Sequence, residues 1–188
     1  QWITVESAGA ATNSSHGLED SVLNEITNAL PTISTAIAER VRKLKIDSEN
    51  ASAEATVCGT SPQYIRLLRD VARVEIEKGR FIESTDGTEE APAVVLSESL
   101  AITLFMDADP VGQSVVLQDQ KLTVVGVVSD GAKWGADVTR EAYVPLNLFG
   151  PGTDQSASFP YDRFRFKVNS LDQVDASREI IRTIIERR

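Results

Sequence analysis

The sequence predicts an α+β chain, and three patterns carry that class. The stretch Arg163-Phe-Arg-Phe-Lys-Val168 alternates polar and apolar residues, the period of a half-buried strand. The runs Ala93-Val-Val-Leu96 and Leu122-Thr-Val-Val-Gly-Val-Val128 are short, apolar and rich in valine, as in strands buried on both faces. Between them lie stretches with apolar residues every three or four positions, the spacing of amphipathic helices. Strands and helices thus alternate along one chain, which argues against all-α and all-β classes.

Residues 7–16 are small and polar and read as a loop. Leu18, Val22, Ile26 and Ala29 or Leu30 then mark one face of a helix that Pro31 ends. Residues 33–46 carry two readings. Ile37, Val41 and Leu44 suit a helix. The opening Thr32-Ile-Ser-Thr35 and the later run Ala53-Glu-Ala-Thr-Val57 suit a hairpin about Asp47-Ser-Glu-Asn50, and the hairpin is favoured. Ser61-Pro-Gln-Tyr64 turns into a short helix, and Gly79-Arg-Phe-Ile82 closes this part.

The polar stretch Glu83–Glu90 reads as a boundary loop, followed by the strand that ends at Leu96. Ser97 is placed to cap a helix with Leu100, Ala101, Leu104 and Phe105 as its apolar stripe. Pro110 and Gly112 break the chain. A hairpin follows, Ser114–Leu117 and Leu122–Val128 across Gln118-Asp-Gln-Lys121. Asp130-Gly-Ala-Lys-Trp-Gly135 is a loop, Glu141–Pro145 a strand, and 150–160 a Gly/Pro/Ser-rich linker. Phe164, Phe166 and Val168 point inward from the alternating strand. Ser170-Leu-Asp-Gln173 has the form of a capping box and opens a last helix, with Leu171, Val174, Ile181 and Ile184 on its core face.

The chain has 188 residues, 41% of them hydrophobic, enough for one domain or two small lobes without a metal or disulfide. Its net charge is −9, and Glu83 to Asp109 hold seven carboxylates and no Lys or Arg. Such a face repels phosphate backbones, so nucleic acid is not an expected partner. It reads as a solvated face or as a docking surface for a basic partner. The single cysteine, Cys58, lies in a strand-like run and reads as a small buried hydrophobe. No run of about 18 apolar residues is present. The sequence starts at Gln1 without methionine and stops inside a helical pattern, so a piece of a longer protein is expected.

No chemistry-bearing constellation is found. The one histidine, His16, sits in the small polar loop and reads as an exposed residue there. Ser97 and Ser99 lack the glycines of a nucleophile elbow. Neither a P-loop nor a Gly-x-Gly-x-x-Gly run occurs. Asp107-Ala-Asp109 and Asp86–Glu90 lack EF-hand spacing and read as turn acids. Accordingly no catalytic, cofactor-binding or metal-ligating residue is assigned, no cofactor is expected, and the chain is not read as an enzyme. Lys133 and Trp134, in a glycine-flanked loop, are candidate partner contacts; the alternative for Trp134 is a ring folded over the core.

Over residues 59–128 a series of short motifs keeps a recognisable order. Gly59-Thr-Ser-Pro-Gln-Tyr64 leads to Glu77-Lys-Gly-Arg-Phe-Ile82, then to the strand at 93–96, the helix Leu100–Phe105, Asp109-Pro-Val-Gly-Gln-Ser-Val115 and Leu122–Val128. Tyr143-Val-Pro-Leu146 and the strand–helix ending 164–185 continue it. This order resembles the periplasmic core domain of MacB-like ABC transporter permeases, relatives of FtsX.

The resemblance implies a porter-like lobe of β-α-β units from both chain ends (1–82 and 160–188) with an inserted small α/β lobe, Sabre-like, at 83–159. Gly79, Phe81, Pro110 and Gly112 are then structural motif residues. It implies an extracytoplasmic domain of a membrane protein, which couples ATP-driven helix movement to export of substrate or to docking of an adaptor. The implied partners are an ATP-binding subunit or domain, a periplasmic adaptor and a second copy in a homodimer. A stand-alone extracytoplasmic sensor or ligand-binding module is the competing reading.

Overall fold

The computed structural model describes residues 1–6, 18–88, 92–131, 140–148 and 161–187. The elements are β1 (Trp2–Glu6), α1 (Asp20–Ala29), β2 (Ile33–Asp47), β3 (Ser52–Thr60), α2 (Tyr64–Ala72), β4 (Ile76–Gly79), β5 (Ala93–Ser97), α3 (Glu98–Phe105), β6 (Ser114–Leu117), β7 (Gln120–Val128), β8 (Glu141–Pro145), β9 (Arg163–Val168) and α4 (Val174–Glu186). The α+β class read from the sequence is the class of the structure. Contacts divide the chain into two compact units, one of Gln1–Arg40 with Pro151–Arg188, the other of Val41–Gly150.

In the first unit, β9 lies between β1 and the opening half of β2, antiparallel to both. Phe164 and Phe166 are fully buried, with Val22 and Ile26 of α1 and Ile181 and Ile184 of α4 also in the core. The alternation read from the sequence therefore gives the observed inward face of β9. Its opposite face is less plainly solvated than expected. Glu39 of β2 is 0% exposed and accepts a 2.7 Å hydrogen bond from Arg165 Nε, while Arg163 pairs with Glu6 at 3.0 Å. Tyr161 donates to Asp20 at 2.8 Å and receives the Arg40 guanidinium over its ring at 5.0 Å.

In the second unit the strands run β2–β3–β8–β5–β7, and β6 pairs with both β7 and the end of β2, Ile46 with Leu117. That pairing closes the path into a ring of six strands, which leaves few unpaired edges. Alternate residues of these strands meet in one core: Ile46, Val57, Val94 and Leu96, Val115, Leu122 and Val124, Val144. Leu100, Ala101 and Leu104 of α3 join it. A second contact layer stacks Tyr143 between Tyr64 of α2 and Phe81, with centroids 5.8 and 5.6 Å apart.

Several expectations are corrected here. Residues 33–47 form one long strand, so the hairpin reading is the right one of the two. Within the second unit, the end of β2, β3 and β4 pair with β6, β8 and β7. Ser97 does not cap α3 with its side chain; its Oγ accepts the Glu141 N–H at 2.9 Å. The capping box at Ser170 does not form: residues 171–173 make a 3-10 turn and Leu171 is 72% exposed. The hairpin loop is two residues, Gln118 and Asp119, both at positive φ, so β7 begins at Gln120. Asp86, read as a solvated turn acid, is buried and grips Arg80 through two hydrogen bonds of 2.6 and 2.7 Å.

Candidate partner surface

The surface is built on α3. Its buried stripe is Leu100, Ala101 and Leu104, so the helix turns Ile102 outward, and Met106 follows at its C-terminus. They are 58% and 70% exposed. Met106 stands at φ 53°, its N–H returned to the Ile102 carbonyl at 2.8 Å, which stops the helix there. At the other end, Asp130 Oδ1 accepts from the Ser99 N–H at 3.2 Å and from Ser99 Oγ at 2.9 Å. A carboxylate at the first turn satisfies an orphan amide and suits the helix dipole. This bond also ties α3 to Asp130, next to which Gly131 at φ 72° lies against the Ala72 carbonyl.

Two grooves flank the Ile102 ridge. One is lined by Lys43, Glu54, Arg140, Ser99 and Thr103, basic on balance. The other is lined by Glu77, Lys78, Glu98, Asp107 and Pro110. Lys78 is held by Asp109 at 3.5 Å, so the second flank is acidic on balance. The ridge thus has a basic side and an acidic side. Of the seven carboxylates between Glu83 and Asp109, Glu98, Asp107 and Asp109 lie around α3, Glu83 and Asp86 around Arg80, and Glu89 and Glu90 outside the described residues.

The residues singled out from the sequence have these places. Lys133 and Trp134 lie outside the described residues, as does His16. Gly79 has φ 64°, and a Cβ there would stand 2.2 Å from the Val125 carbonyl oxygen. Phe81 is buried against Tyr143. Pro110 is buried beside the acidic groove. Gly112 has open space around it but φ 85°, and its N–H reaches the Val124 carbonyl at 2.8 Å, so backbone conformation alone favours glycine there. Ile102 and Met106 were legible as apolar residues off the helix stripe. Lys43 and Arg140 carry no such signal, because the strand pairing that unites them joins distant segments.

Among the described residues no group of three or more His, Cys, Asp or Glu side chains is placed to hold a metal ion. Ser97 Oγ and Ser99 Oγ, 3.3 Å apart, have backbone and carboxylate partners, an arrangement that fixes α3. No described helix is long and apolar enough to cross a membrane. The chain is a mixed α/β protein with two compact units, and the second of them carries the outward apolar ridge.

The chain belongs to the MacB-like periplasmic core domain family, whose model matches residues 2–184. Macrolide export ATP-binding/permease protein MacB of Neisseria gonorrhoeae is 33% identical over 79 residues, 42% of this chain and 12% of that protein. The MacB of Nitrosomonas europaea is 27% identical over 169 residues, 88% of this chain and 24% of that protein. The chain thus spans a quarter or less of these two curated relatives. Among solved structures, the periplasmic region of MacB from Actinobacillus actinomycetemcomitans superposes with a TM-score of 0.73 at 19% identity, over 98% of this chain and 84% of that one. The extracellular domain of the ABC-type transporter YknZ from Gram-positive bacteria gives 0.71 at 20% identity, over 93% and 85%. These superpositions establish the shared fold.

Proposed function

We propose that this domain stands on the extracytoplasmic face of a bacterial cell membrane within an ABC transporter permease, and couples ATP-driven movement of membrane helices to export of substrate or docking of an adaptor. The family match over residues 2–184 carries this reading. The names of the curated relatives, which join an ATP-binding part to a permease, support an ATP-binding subunit or domain as partner. The unit built from both chain ends supports it as well, since a domain set between two membrane helices must send both termini back to one place. In this reading the first unit is the porter-like lobe, the second contains the inserted lobe, and the domain works as a pair in a homodimeric transporter. Its contribution is contact and movement, with nucleotide hydrolysis performed elsewhere.

The test uses the full transporter that contains the chain. Replacing residues 2–184 by a short flexible linker should abolish export while leaving basal ATP hydrolysis measurable. Export at the unaltered level would overturn the reading. Trp134→Ala in the same transporter should weaken adaptor binding or transport and leave folding of the domain intact, if the 130–135 loop is a partner contact.

A further inference from the structure

The α3 ridge has a property that most exposed apolar patches lack: its two flanks carry opposite charge. Ile102 and Met106 form the crest. Lys43 and Arg140 stand on one side, and Glu77, Glu98 and Asp107 on the other. All five charged residues are exposed. A purely basic partner would meet its match on one flank and repulsion on the other. A surface that presents apolar, positive and negative strips side by side is complementary to its own copy turned by a half rotation about an axis parallel to the strips.

We propose that the outward face of α3 is a self-association surface on which a second copy of this domain seats, Ile102 against Ile102, with Lys43 and Arg140 of each copy facing Glu77, Glu98 and Asp107 of the other. The geometry fixes the symmetry. A two-fold axis parallel to α3 exchanges left and right flanks and brings basic onto acidic. An axis lying across the helix would set like on like, which costs affinity. The two α3 helices therefore lie side by side and parallel. Ser99 and Thr103 border the basic groove, their hydroxyls donating within the domain to Asp130 and to the Ser99 carbonyl. Glu54 and Lys78 are the minority charges of their flanks, and Lys78 is occupied by Asp109. The surface names the contact for the paired arrangement in the proposed transporter and rests on that reading for its setting. Its test in solution needs no transporter, so failure of the export experiment and failure of this one are separate results.

The 188-residue chain is the material for the test. Ile102→Cys is oxidised beside Val71→Cys, an exposed control position on α2 at 65% exposure. The buried Cys58 remains in both and in the unaltered chain as background. Ile102→Cys should yield about tenfold more disulfide-linked dimer than the control, because the proposed axis brings the two positions together. In sedimentation, the unaltered chain should show concentration-dependent association. Lys43→Glu with Arg140→Glu should weaken it about tenfold, and adding Glu77→Lys with Glu98→Lys should restore it. Circular dichroism checks that each variant is folded. Equal cross-linking at 102 and 71 would overturn the proposal, as would failure of the fourfold charge exchange to restore association. A monomer at all concentrations whose α3 variants nevertheless lose export would place a different partner on this face and overturn it equally.

Discussion

Gly79 and Gly126 face one another across the β4–β7 pairing, and neither position has room for one more carbon. A Cβ at Gly126 would lie 1.9 Å from the Arg80 carbonyl oxygen, and one at Gly79 would lie 2.2 Å from the Val125 carbonyl oxygen. Two backbones thus touch where β4 leaves the sheet, and the Arg80 N–H bonds the Val125 carbonyl at 3.0 Å. From that crossing Arg80 reaches Asp86, and Phe81 enters the aromatic stack.

Gly126→Ala is therefore expected to destabilise the domain by roughly 2–4 kcal/mol, since the obstructing atoms are backbone and must move together. Gly79→Ala should cost a similar amount through its clash and its positive φ. Thermal unfolding of each variant checks this: a fall of about 2–4 °C per kcal/mol is the scale for a chain of this size. A loss below about 0.5 kcal/mol would mean that β4 lifts away freely.

Asp86→Ala should cost about 2–3 kcal/mol by removing the charged hydrogen bonds to Arg80 and the one accepted from the Glu83 N–H at 2.7 Å. The Arg80 guanidinium holds the Asp86 carboxyl below its ordinary value. A lowered folded value means that the stabilisation is complete above the unfolded carboxylate range, about 4, and is lost as pH falls through the folded value. Denaturation from pH 6 down to pH 2 should show a smaller acid loss in the Asp86→Ala variant.

Arg165→Ala should cost about 3 kcal/mol, because it removes the nearer of the two arginines that pair with the buried Glu39 carboxylate and leaves Arg163 at 4.0 Å. Arg163→Ala, whose closer partner Glu6 is exposed, should stay within about 1 kcal/mol. The double variant Glu39→Gln with Arg165→Ala should be more stable than Arg165→Ala alone. Urea denaturation of the three decides whether the buried charge governs this face.

Phe81→Ala should cost about 3–5 kcal/mol, the range for a buried large aromatic. Tyr143, next to it, has its phenol raised well above the ordinary value, first by burial and then by Glu141, to which its hydroxyl donates at 2.5 Å. A raised folded value leaves stability whole below about pH 10 and drains it as pH climbs toward the folded value. Tyr143→Phe should remove part of that alkaline loss, and an ultraviolet titration should show two late-ionising tyrosines in the unaltered chain and one in the variant, because burial and Asp20 also raise Tyr161.

Much of the fold was legible because period and burial coincide. Phe164, Phe166 and Val168 announced β9, and the stripe of α3 announced its buried side. The closure of β6 on β2 was not legible, since it depends on a pairing between Ile46 and Leu117 that no local pattern encodes. β1 was also missed: Trp2–Glu6 is a strand because β9 offers it an edge. The caps failed for a related reason. Ser97 and Ser170 have the right type, yet Asp130 reached the amide of Ser99 first and the chain at Ser170 took a 3-10 turn. Of the candidate surface, Glu98 and Asp107 belong to the acidic stretch read from the sequence, while Ile102, Met106 and the basic flank of Lys43 and Arg140 were not singled out.

The pairing of β1 with β9 has a consequence for biosynthesis. A ribosome delivers Val41–Gly150 as one uninterrupted stretch, so every described strand partner of that unit has emerged by Pro145. The other unit receives β1 and the start of β2 early, but their shared neighbour β9 comes only after residue 162. The nascent chain therefore passes through a stage in which one unit is complete and the other holds two strands with exposed hydrogen-bonding edges. A chaperone that guards this domain would be needed longest at β1 and the start of β2, and a stop codon just upstream of Arg163 would leave Val41–Gly150 foldable while exposing residues 1–40 to proteolysis.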